Sequence, residues 1–254
     1  MLLAVLVILA ENKVEAVGDP EITIELSQSK QGAYVAPGQD GIVTFTGTVY
    51  AEIPWAPNVQ YLVVNLNAKC SDFPVSVPPA LTFSKAQKQQ SFQLSIQVPI
   101  GTSSMESYTL YVNGTWSYSP GVASGECDGA TAVVFVKQYY DLDLGSDDPI
   151  VDCERPGDAV FVLQVTNTGN GLDEIGLELD DRDELADASV NVFLNDDSIR
   201  LDLGETKDVK IRVEVEDPAR MGTFEVDVSA YSKIANDIGH PSEQDTFTFY
   251  LEVV

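Results

Sequence analysis

The strongest constraint in this 254-residue sequence is a two-residue period. Residues 92–98 (FQLSIQV) set Phe92, Leu94, Ile96 and Val98 against Gln93, Ser95 and Gln97. Successive side chains of a strand point to opposite faces, so this run is expected to form a strand with one side in a core and the other in water. Residues 160–167 (VFVLQVTN) read the same way, with Phe161, Leu163, Val165 and Asn167 sharing a face opposite Val160, Val162, Gln164 and Thr166. Residues 20–27 alternate too, with Ile22, Ile24 and Leu26 on one face. Further strands are expected at 42–53, 61–68, 108–116, 131–139, 175–179, 189–194, 206–215, 222–231 and 246–254. Many short strands separated by turn residues predict an all-β fold.

Proline and glycine place the reversals. Pro37-Gly38 and Pro156-Gly157 each precede a long strand. Proline presets φ and glycine accepts a positive one, so each pair is expected to turn the chain. Residues 167–171 (NTGNG) are expected to end a strand in left-handed backbone. Residues 53–60 hold two prolines and cannot be a central strand, which puts Trp55 on a loop. Residues 73–79 read as an irregular edge, and the Ser- and Gly-rich stretch 117–129 as a long loop. The sequence of Pro-Gly turn, long strand and return strand occurs twice. It predicts two tandem, distantly similar β-sandwich domains, residues 17–140 and 141–254, with Leu142 and Leu144 opening the second.

The order PGDAVFVLQVTNTGNG, IGLELDD, LDLGETKDVKIRVEVEDP, GTFEVDVSAYSK resembles immunoglobulin-like domains appended to secreted archaeal and bacterial proteins. These include the alpha-galactosidase-associated domain and the related bacterial cell-adhesion domain. The resemblance covers roughly the last 110 residues. It implies a seven-stranded sandwich acting as spacer, adhesion module or enzyme appendage, with no catalytic residues to carry over. The acidic, helix-like segment 180–188 (DDRDELADA) departs from the usual connection.

Charge is the outlying property: 14 Lys and Arg face 40 Asp and Glu, for a net charge of −26. A chain without a basic footprint is not expected to bind nucleic acid. Residues 1–140 carry 11 acids and 6 bases, net −5, and residues 141–254 carry 29 acids and 8 bases, net −21. Residues 1–10 (MLLAVLVILA) are uniformly apolar, too short to span a bilayer as a helix and of the length of a signal-peptide core. Val14 and Ala16 suit a cleavage site after Ala16, although no basic residue precedes the apolar run. A leader over residues 1–16 implies an extracellular or cell-surface protein. The alternative is that VLVIL forms a strand.

Candidate chemistry is sparse. His240, before Pro241, is the single histidine and reads as a loop residue. No nucleophile, metalloprotease or phosphate-loop motif is present, so a non-enzymatic role is expected. Three cysteines permit one bridge, and Cys70 with Cys127, each read as a loop residue beside an Asp, is the favoured pair. Asp141, Asp143, Asp147, Asp148 and Asp152 crowd the domain junction and suggest calcium, since hard cations take several oxygen ligands. Asp180, Asp181, Asp183, Glu184 and Asp187 read instead as a solvated helical turn. Asn113-Gly114-Thr115 is a glycosylation sequon, and Trp55, Tyr61, Trp116 and Tyr118 are candidates for a sugar-stacking platform. The functional expectation is a structural or adhesion protein whose partners are other surface proteins or its own copies. The alternatives are a carbohydrate-binding accessory module, or a filament subunit adding its apolar N-terminal strand to a neighbour.

Overall fold

The computed structural model describes residues 18–36, 38–54, 59–121, 123–239 and 244–254. The apolar run 1–10, the cleavage position after Ala16, Pro37, Trp55 and His240 lie outside these. Alternation produces strands along the whole described chain. The first nine are β1 (Glu21–Leu26), β2 (Lys30–Tyr34), β3 (Gly41–Glu52), β4 (Tyr61–Cys70), β5 (Val75–Ser76), β6 (Leu81–Phe83), β7 (Gln89–Val98), β8 (Ser107–Ser119) and β9 (Ser124–Lys137). They form a four-stranded sheet in the order β1-β3-β7-β5 and a five-stranded sheet in the order β2-β9-β8-β4-β6. As the pattern requires, Phe92, Leu94, Ile96 and Val98 are buried in β7 while Gln93 and Gln97 face water.

The second set repeats the plan: β10 (Leu142–Gly145), β11 (Ile150–Cys153), β12 (Gly157–Asn167), β13 (Asp173–Leu179), α1 (Arg182–Asp187), β14 (Val190–Leu194), β15 (Ser198–Leu201), β16 (Thr206–Val215), β17 (Gly222–Ser232), α2 (Lys233–Asp237) and β18 (Gln244–Val253). Its sheets run β10-β12-β16-β14 and β11-β18-β17-β13-β15, so the chain comprises two tandem immunoglobulin-like β-sandwiches. In β12, Ala159, Phe161, Leu163, Val165 and Asn167 are buried and Val160 and Val162 are exposed. Phe161 meets Phe249 of the opposite sheet at 4.6 Å between ring centroids. Burial at about 25 cal/mol per Å² of apolar surface makes this inter-sheet layer the main source of stability. By backbone proximity the chain divides into two compact units, with 32–42, 98–107 and 135–254 making up the second.

The turns depart from expectation. Gly38 takes φ +75, as a left-handed turn requires, but Gly157, Gly169 and Gly171 are not in that region. They are glycines because neighbours approach closely. A Cβ would lie 2.4 Å from the Glu154 carbonyl at Gly157, 2.8 Å from the Tyr139 carbonyl at Gly169 and 2.4 Å from Ser104 Oγ at Gly171. Residues 117–129 are not a long loop either, since β8 runs to Ser119 and β9 starts at Ser124. The Gly125 position lies against the Trp116 ring and Gly129 against the Val112 carbonyl, so those glycines continue the hairpin rather than breaking it.

Candidate functional site

The second unit carries two features with chemical character, a buried polar node and a rim groove. The node grows from the turn after β12. Asn167 Nδ2 donates to the carbonyls of Gly171 (2.8 Å), Leu201 (3.1 Å) and Asp202 (3.2 Å), and its Oδ1 accepts from Gly169 N–H at 3.0 Å. Asn170 Oδ1 accepts from Tyr139 N–H at 2.9 Å, its Nδ2 donates to the Lys137 carbonyl at 3.1 Å, and its own carbonyl accepts from Ser104 N–H at 2.8 Å. Both side chains are fully buried, and their amides satisfy carbonyls and N–H groups that a turn leaves without strand partners.

Asp173 opens β13 beside this node and is 1 % exposed. Its Oδ1 accepts from Ser232 Oγ and from Glu174 N–H, both at 2.7 Å, while its Oδ2 has no hydrogen-bond partner. Burial pushes this carboxyl above the usual range, against the pull of the Ser232 and Glu174 hydrogen bonds. On the other face of β13, Glu174 accepts from Lys233 Nζ at 2.7 Å and Ser198 Oγ at 2.9 Å, which hold it below the usual range. Ser232 also caps α2, accepting from Ala235 N–H at 3.0 Å.

The groove, about 400 Å³, opens where β13 outruns its neighbour. β15 pairs with β13 over Asp173–Gly176, and Leu177 N–H makes one more bond to the Asp197 carbonyl at 2.9 Å. β13 continues to Leu179 with β17 alone paired to it. Leu177, Leu179 and Leu194 supply the apolar lining, and Glu178, Asp197, Arg182 and Phe193 complete the walls. Phe193 is 39 % exposed because β14 alternates Val190, Val192 inward and Asn191, Phe193 outward. The Arg182 guanidinium carbon stands 6.0 Å from its ring centroid. Glu178 accepts from the Tyr231 hydroxyl at 3.1 Å, which raises the Tyr231 phenol.

The residues singled out from sequence are distributed differently. Cys70, Cys127 and Cys153 are all free thiols, and burial raises each thiol. Cys70 ends β4 and Cys127 lies within β9, so neither is a loop residue. Cys70 faces Leu110 of β8, whereas Cys127 Sγ lies beside Gly114, four residues further along that strand. That offset alone is about 13 Å at 3.3 Å per residue, beyond the Cα separation of about 7 Å that a disulfide tolerates. The five junction aspartates are not gathered either. Asp143 lies on β10 in one sheet and Asp152 on β11 in the other, and no group of three metal-binding side chains exists among the described residues.

Trp116 and Tyr118 are 5 % and 1 % exposed and pack together at 5.2 Å between centroids, so they belong to the core rather than to a sugar platform. Tyr61 alone of the described candidates is exposed, at 38 %. Asn113 is exposed at the middle of β8, opposite Asn67. Asp183, Glu184 and Asp187 of the acidic segment lie in the short helix α1, of which only Leu185 is buried, whereas Asp180 precedes the helix and accepts from Ser229 Oγ. Among the described residues no helix is long and apolar enough to cross a membrane. The groove residues went unrecognised in the sequence. The available signal was the parity of VNVF in β14, which turns a phenylalanine outward.

No family profile and no curated protein matches the chain. Among solved structures it is similar to a protein of unknown function from Porphyromonas gingivalis, at 14 % identity and TM-score 0.28, over 90 % of this chain and 99 % of that one. It is also similar to domains 4 and 5 of the S-layer protein SbsC, at 12 % identity and TM-score 0.30, over 57 % and 65 % of the two chains. A third likeness is to AggA, the major subunit of aggregative adherence fimbriae type I of Escherichia coli, at 12 % identity and TM-score 0.29, over 47 % and 97 %. At these TM-scores the likenesses carry no functional information.

Proposed function

We propose that this chain is a non-enzymatic extracellular or cell-surface protein, a structural or adhesion module that works through the outer faces of its sandwiches. The observation that carries this reading is the use made of its buried polar side chains. Asn167, Asn170 and Ser232 bind backbone groups of turns and a helix start, which is scaffold work. The resemblance of the second half to domains appended to secreted proteins supports the same reading, as does the apolar run at residues 1–10. Its partners are other surface proteins or its own copies. The acidic surface keeps such a module hydrated and makes its associations dependent on salt. Asn113 is the acceptor that a glycosylating export route would use.

Surface labelling tests this directly. Intact cells carrying the native gene, treated with a membrane-impermeant amine reagent, should yield labelled protein, and intact mass should show loss of residues 1–16. Protection of the whole chain from the reagent until lysis would sink the proposal.

A further inference from the structure

We propose that the groove at the end of β13 takes a short extended peptide segment carrying alternating apolar and basic side chains, bound by strand addition to Leu177–Leu179. Three observations carry this. The β13 edge loses its partner once β15 ends: the paired register stops at Gly176 with Ser198, and the last bond is Leu177 N–H to the Asp197 carbonyl. In a β-ladder alternate residues face alternate neighbours. Asp180 N–H bonds to Asp227 of β17, so Leu179, one residue earlier, directs its backbone groups away from β17 toward the groove. An arriving segment thus finds the N–H and carbonyl of Leu179 already set in strand geometry, Leu177 N–H being taken by the Asp197 carbonyl.

The second observation is the lining. Leu177, Leu179 and Leu194 form an apolar floor, and the ring of Phe193 stands exposed beside it. Alternate side chains of an added strand would bury against this surface while the others face the rim. The third is charge. Residues 180–187 together with 196–197 hold seven carboxylates and one base, Arg182, and Glu178 adds another carboxylate to the wall. Basic side chains on the outward positions complement that rim and acidic ones oppose it. A second copy of this chain is a poor occupant for the same reason, having 40 acids and 14 bases.

The inference rests on the reading of the chain as a non-enzymatic surface module. The titration below tests the groove alone, whereas surface labelling tests location, so the two fail separately. The full chain is titrated with three capped probes: VKVKV, VEVEV, and VKVKV with its strand-pairing amides N-methylated. VKVKV should bind and move the amide signals of Leu177–Leu179 and Phe193. The acidic probe and the methylated probe should each bind at least about tenfold more weakly. Glu178→Lys combined with Asp197→Lys should reverse the preference between the two charged probes. Equal affinity of the methylated and unmethylated basic probes, amide shifts confined to other surfaces, or no binding of VKVKV would each overturn the proposal.

Discussion

The two sandwiches share a plan of one four-stranded and one five-stranded sheet, yet they are filled differently. Every buried polar residue among the described ones, Asn167, Asn170, Asp173, Ser229 and Ser232, lies in the second; the buried side chains of the first are hydrophobic. An apolar layer tolerates adjustment, because dispersion and burial are not directional. A buried polar network specifies one arrangement and fails sharply when one member is lost. The second sandwich therefore gains uniqueness at its turn, together with a buried carboxyl, Asp173, that makes its stability respond to acid.

The largest expected effect probes the apolar side of this contrast. Phe45 is fully buried in β3, and Phe45→Ala should cost about 3–5 kcal/mol in urea unfolding. That loss should be constant between about pH 5 and 8, since no titrating group is involved. A strongly pH-dependent loss would break the contrast from the first side. Next comes Asn170→Leu, which keeps volume but leaves Tyr139 N–H and the Lys137 carbonyl without their amide partner. Unsatisfied buried groups cost about 1–3 kcal/mol each, so a loss of about 2–4 kcal/mol is expected. A cost below about 1 kcal/mol would show that the node is incidental to the fold.

Much of this contrast was legible in the sequence and some was not, for physical reasons. Alternation located most of the long strands because burial enforces it residue by residue. It also held the answer for Trp116 and Tyr118, which share parity with the buried Leu110 and Val112 of β8. Position in the chain is a poor guide to position in space where the chain changes sheets. That is why Asp143 and Asp152, nine positions apart by number, end on different sheets, and no group of three metal-binding side chains forms among the described residues. The glycines of NTGNG read as conformational devices, but Gly169 and Gly171 make room for the Tyr139 carbonyl and Ser104, neighbours that only the folded chain supplies. The groove was hidden because it depends on where β15 stops along β13, a register that no local pattern records.

The finest test lies within one strand, at Asp173 and Glu174, whose side chains occupy opposite faces of β13. Burial raises the folded-state pKa of Asp173, and Tyr140 and Glu174 are the titrating groups that couple to it. As pH rises past the ordinary aspartate value of about 3.9, the unfolded chain releases this proton first, so the contribution of Asp173 to stability falls until the folded carboxyl has also ionised. Glu174 has the opposite sign. Its folded pKa is lowered by Lys233 and Ser198, so its contribution is present above about pH 4.3 and is lost as pH falls through the folded value. Asp173→Asn should flatten the decline with rising pH, read as the urea midpoint across an acid-to-neutral series. Glu174→Gln should give the smaller change, confined to the acid end and reduced in high salt, because the Lys233 pair is 40 % and 42 % exposed and screened by solvent. If Asp173→Asn and wild type keep the same slope while Glu174→Gln changes it, the pH response belongs to the surface pair, and the buried carboxyl adds nothing to the difference between the sandwiches.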